Sequence, residues 1–400
     1  MWLTVKDKNS VEIAPGVIDR ILDMYPEEKL SDRKVFQDGK AHGFLDFERF
    51  RSECEKILVP WQMFLLDKKN LEKQIFHIEK QRLHNVSSKL IAKRKGSGNV
   101  TSKRIVDRLI RQQNYTTQSG SFAKNPFCGS LKGRQIKSSA RYIESHFDIS
   151  TVRFRSFSTK ESALDYLIER VEAKSVNVSR GVLTNKILPH SAVVPGDVYK
   201  NTSGFAIRDE KVPFVFLPSE INPDEVASRQ IYTLVYLLTV IGLDQYDYVL
   251  NKDFAAKMMF GSKVNKKIHS ITSEFLLPSD EISQLQGSNI SITKRDELAA
   301  RYKVSPTALV TTLKVRKIID QPKYDEILPD AFVPGKRSSS SGARTPKVST
   351  SAKKFCGQQS FAAINTGLQN GTLGNTQAQY LIFGTINKKN FKKYRSELDL

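Results

Sequence analysis

Chemistry in this chain of 400 residues has to start from few histidines and many cations. The histidines are His42, His77, His84, His146, His190 and His269. A zinc site needs side chains that converge on one ion at about 2 Å each. His77 and His84 can share a helix face, but a spacing of seven places them about 10 Å apart along the axis. His269 has no partner visible in the sequence, and each histidine reads as a surface or satisfied core residue. The three cysteines, Cys54, Cys128 and Cys356, are far apart and form no C-x-x-C pair. They argue against a disulfide framework and for a reducing, cytoplasmic setting.

The cations are concentrated. From Lys80 to Arg141 there are fifteen Lys or Arg and one acid, Asp107, which is two thirds of the formal surplus of +21. Lys93, Arg94 and Lys95 precede Gly96-Ser97-Gly98, a flexible break. Thr101 can then cap a helix, TSKRIVDRLIRQQ, that carries Lys103 and sets Arg104, Arg108 and Arg111 on one face. A planar guanidinium donates two hydrogen bonds to a phosphate or carboxylate. These residues are therefore the candidate surface for DNA or an acidic protein partner. No paired carboxylates or Ser/His/Asp set accompanies them, so a nucleic-acid-acting toxin has no support in the sequence.

The elements that must hold these residues follow from periodicity. Phe44, Phe47, Phe50, Cys54, Ile57 and Leu58 recur at helical spacing and Pro60 stops the run. A second helix is predicted from Lys68 to Lys93. Residues 1–150 read as a mostly helical, basic N-terminal region. From Ser150 short β-rich runs appear, STVRFRSF and KVPFVFL, interleaved with helices over 151–330. Residues 331–354 end in RSSSSGARTPKVSTSAKK and read as a disordered linker, followed by a small basic segment, 355–400. The longest apolar run, Ile231 to Leu243, is about 13 residues against the roughly 20 of a membrane span. It reads as a buried helix, and the N-terminus has no apolar leader.

That helix, INPDEVASRQIYTLVYLLTVIGL, is well marked. Asn222 suits the N-cap, Pro223 the first turn, Asp224 and Glu225 the positive dipole end, and Gly242 the stop. KVPFVFL before it reads as a buried strand. With Gly204-Phe205-Ala206, Ile231-Tyr232-Thr233-Leu234, Ser273-Glu274-Phe275-Leu276-Leu277-Pro278 and Leu298–Ser305 followed by Ala308-Leu309, it resembles the ImmA/IrrE metallopeptidase domain. The resemblance covers about residues 160 to 320, and more weakly the last 45. It implies an α+β, zincin-like core of helices with a small sheet.

The same resemblance points to lost chemistry. A zinc peptidase of this type needs His, Glu and a second His at H-E-x-x-H spacing on one helix, and a third ligand from elsewhere. Counted from Thr233-Leu234, those positions are Tyr236, Leu237 and Val240; counted back from Phe275–Pro278, the third falls near Asn265. None can hold zinc or activate water, so no cofactor is implied. The Tyr236 hydroxyl could still meet a ligand. The implied function is that of a catalytically inactive regulator or partner protein of a bacterial mobile element, toxin–antitoxin or phage-defence module. An active zinc endopeptidase cleaving a repressor is the alternative. DNA binding, by the basic region or by a helix-turn-helix over Leu298–Ile319, is the second.

Overall fold

The computed structural model describes residues 2–4, 10–22, 33–56, 59–85, 100–181, 204–217, 227–246, 262–328, 348–383, 391 and 395–398. The fold is mixed α and β, mostly helical, with small three-stranded sheets.

An N-terminal unit is built on β1 (Trp2–Thr4), which pairs antiparallel with β2 (Ser10–Glu12). Helices α1 (Val17–Leu22) and α2 (Lys34–His42) follow, the latter ended by Gly43 at φ 75°. Strand β3 (Phe44–Asp46) then returns parallel to β1, and α3 (Phe47–Lys56), a 3-10 turn (Trp61–Leu65) and α4 (Lys68–Asn85) complete the unit. Phe36, Phe50 and Phe64 meet in its core at ring distances of 5.0–6.3 Å. The predicted stripe from Phe44 holds only from Phe47 onward. Phe44 is in a strand and 55% exposed, because pairing with β1 claims its backbone; Ile57 and Leu58 lie outside the described residues.

The main body starts with α5 (Val100–Ser119), α6 (Ile136–His146), α7 (Thr151–Ser156) and α8 (Lys160–Glu172). Here α7 corrects the β-rich reading of STVRFRSF. Ser150 caps a helix by accepting from the Arg153 amide, and Val152 is 81% exposed, so the alternating pattern marks no buried strand face. A mixed sheet follows in the order β4-β6-β5: β4 (Asn177–Arg180) parallel and β5 (Phe205–Ile207) antiparallel to the central β6 (Phe214–Leu217). On it lies α9 (Ala227–Leu243), in which every residue but Arg229 is buried. A helix apolar on all sides has to be interior. Its predicted cap, Asn222 to Glu225, lies outside the described residues.

Two glycines explain how close this packing is. A Cβ on Gly204 would stand 2.7 Å from the Phe216 carbonyl oxygen and 2.8 Å from Thr233 Cγ2. One on Gly242 would stand 2.6 Å from Leu131. Gly242 is thus inside α9, not its stop, and the left-handed residue beyond the end is Asp244, φ 55°. The amides of Gly129 and Leu131 cap the last carbonyls of α9, at Ile241 and Gly242.

Helices α10 (Lys263–Leu276), α11 (Ser279–Ile282), α12 (Ile292–Arg301), α13 (Pro306–Val315) and α14 (Gln321–Ile327) close the other side. Helices α15 (Val348–Cys356), α16 (Gln358–Gln369) and α17 (Asn375–Phe383) follow. The predicted boundaries shift accordingly. Val348 to Lys354, read as linker, are helical. The start of the 355–400 segment is docked on the body. Asn177 donates to Cys356 O at 2.8 Å, Ser179 to Phe355 O at 2.6 Å, and the Gln358 amide donates to Glu172 Oε1 at 2.7 Å. Nor is 1–150 one region: Val106, Leu109 and Ile110 of α5 share a core with Phe205, Phe214, Phe216 and Phe355, while residues 13–75 have a core of their own.

Candidate functional site

The four positions singled out for lost metal chemistry lie in the interior. Tyr236 is 1% exposed and its hydroxyl donates to Asn265 Oδ1 at 3.1 Å, from α9 to α10. One turn away, the Tyr232 hydroxyl and His269 Nδ1 are 2.8 Å apart. Tyr232 and Tyr236 are four apart on one helix, and Asn265 and His269 four apart on the other, so each pair shares a face. The crossed pairing, 236 with 265 and 232 with 269, sets the helices antiparallel. The Tyr236 and His269 rings are 5.0 Å apart. Val240 and Leu237 are fully buried, and Leu237 lies beside Gly204 at the start of β5.

Phenols, an amide and aliphatic side chains are poor zinc ligands and no general base. Burial pushes the Tyr232 phenol well above its ordinary range, so it stays protonated and hydrogen-bonds as a neutral group. Among the described residues no group of three His, Cys, Asp or Glu is placed to hold a metal ion. The sequence reading missed the His269 partnership. Its signal was present as two i,i+4 pairs, but nothing in the sequence aligns one helix against the other.

The basic stripe is placed differently from its expected role. Lys93, Arg94 and Lys95 lie outside the described residues, as do the side chains of Lys103 and Arg104. Arg108 is 4% exposed. Its guanidinium stacks on Phe355 at 3.9 Å and donates to Ile382 O, and burial pulls its pKa down to about 10. Arg111 donates to the Tyr380 hydroxyl. The sequence offered α5 an open face; α15 and α17 cover it. Arg108 is therefore corrected from a surface contact to a core residue. The helix-turn-helix reading fails for a similar reason: in α13, Thr307 to Leu313 are all buried and cannot lie in a groove.

Exposed cations remain on the segment between α5 and α6 and on α6 itself. Lys132 pairs with Asp244 at 2.7 Å and Lys137 with Asp280 at 2.6 Å. No helix among the described residues is long and apolar enough to cross a membrane. No protein-family model, curated protein or solved structure matches this chain.

Proposed function

We propose that this chain is an ImmA/IrrE-like pseudo-metallopeptidase, zincin-like in its core, that acts by binding a partner and not by cutting one. The observation that carries this reading is the Tyr236–Asn265 hydrogen bond. The resemblance assigns these positions to the first His and the downstream Glu of a zinc site. Two ligands of one ion, each about 2 Å from it, must come within about 4 Å of each other. The 3.1 Å contact meets that requirement with side chains that carry no metal chemistry.

The partner class follows from charge. A surplus of +21 favours an anionic surface. Both elements that suited duplex DNA, the Arg108–Arg111 face and α13, are turned inward. An acidic protein, as in a regulatory module of a mobile element, is the better fit, with DNA as the second reading. Rebuilding the ligands tests the scaffold. The full chain carrying Tyr236→His, Val240→His and Asn265→Glu should take up zinc at about one per chain, whereas the same two histidines with Asn265 kept should bind it far more weakly. A folded triple variant that gains no zinc would remove the resemblance as a basis for function.

A further inference from the structure

A phenylalanine of the N-terminal unit, Phe76 on α4, is turned to solvent and 66% exposed. The start of α4 is fixed by Asp67, which accepts from the Asn70 amide at 2.9 Å. Leu71 and Ile75 are 1% exposed and Ile78 packs against the same core, so the apolar face of the helix is already buried in folding. Phe76 lies away from that face and has no aromatic ring contact among the described residues. The core therefore does not account for it.

Its neighbours along the outer face are cations. At about 100° per residue, Lys69, Lys73, Phe76 and Lys80 fall within about 60° of arc, with steps of about 6, 4.5 and 6 Å along the axis. All three lysines are exposed, and none has an ion pair among the described residues. Two acids share the helix. Glu72 is held by Arg20 through both oxygens, at 2.7 and 3.1 Å. Glu79 stands about a quarter turn from the middle of the stripe. The outer face of α4 is thus one aromatic ring set in line with three unpaired ammonium groups.

We propose that this stripe binds a single-stranded nucleic acid, with one base stacked on the Phe76 ring and backbone phosphates on Lys69, Lys73 and Lys80. Cations interleaved with an aromatic suit a single strand, whose bases offer a face to stack and whose phosphates offer charge to neutralise. A duplex fits less well, because its bases are already stacked and an entering side chain has to unstack them. A protein partner fits less well, because lysine is depleted at protein interfaces. The stripe belongs to a unit with a core of its own and does not rest on the Tyr236–Asn265 reading.

Fluorescence anisotropy of a labelled oligothymidylate of about twelve nucleotides, titrated with the full chain at several salt concentrations, tests the site. Phe76→Ala should weaken binding about 5- to 150-fold and leave the salt slope unchanged. Phe76→Leu should fail like Ala, since it keeps an apolar side chain but has no ring face, whereas Phe76→Tyr should bind. Changing Lys69, Lys73 and Lys80 together to Gln should flatten the salt slope by about two, at about 0.7 per phosphate on a single strand. All four side chains are exposed, and the fluorescence of Trp2 and Trp61, both in this unit, checks that each variant is folded. A labelled oligouridylate run beside it separates RNA from DNA as the strand preferred. Absence of binding to either strand, or Phe76→Ala binding as well as wild type, overturns the proposal. So does competition by polyglutamate with Phe76→Leu equal to wild type, which would assign the stripe to an acidic protein.

Discussion

Arg108 gives the sharpest energetic test, because its two neutral replacements should differ in effect. The guanidinium has one carbonyl acceptor, Ile382 O, and one aromatic face, Phe355 at 3.9 Å. Its Nε and Nη1 have no acceptor among the described residues. A hydrogen bond from a charged donor contributes about 1.5–3 kcal/mol and a desolvated cation–π contact about 2 kcal/mol. Their joint loss, about 3.5–5 kcal/mol, is set against a burial cost of several kcal/mol for an ion with no counter-charge. Arg108→Met keeps the stem volume and should change stability by less than about 2 kcal/mol in either direction. Arg108→Ala adds a cavity and should cost about 2–5 kcal/mol. Urea unfolding followed by far-UV ellipticity reads the helical body. Trp2 and Trp61 are the only tryptophans, so their fluorescence reads the N-terminal unit and should not move. If Met is as damaging as Ala, losing more than about 3 kcal/mol, the guanidinium is well compensated and the reasoning fails.

Tyr236→Phe should destabilise the body by about 1–2 kcal/mol by stranding Asn265 Oδ1. Adding Asn265→Leu should recover part of that loss in a double-mutant cycle, and additive losses would mean that the two groups do not interact. Glu172 accepts the amides of Val178 and Gln358 while burial raises its pKa above the ordinary 4.5. A carboxyl with a raised folded pKa contributes stability that is present below its unfolded pKa and lost as pH rises through the folded one. Glu172→Gln keeps an acceptor oxygen and cannot ionise. Its stability relative to wild type should therefore rise from acid to neutral pH, and a difference that is flat or falls with pH would show that the carboxylate is well solvated.

Legibility in the sequence followed the strength of local signals. The α9 helix was readable because apolar residues occupy all its faces, and β6 because Phe214 to Leu217 form a run too short for anything but a strand. The i,i+4 relation that places Tyr236 one turn from Tyr232 was readable too. Residues 151–156 were misread because a Ser150 cap outweighed an alternating pattern whose Val152 is not buried. The fate of Arg108 was not legible at all, since what covers it is Phe355 and Ile382, about 250 residues further along the chain.

The central claim, a metallopeptidase-like helix pair that works without metal, is tested most directly by elemental analysis of the purified full-length chain after dialysis. Zinc should be far below stoichiometric, and a chelator should leave the unfolding transition unmoved. About one zinc per chain, with a transition that a chelator lowers, would contradict it.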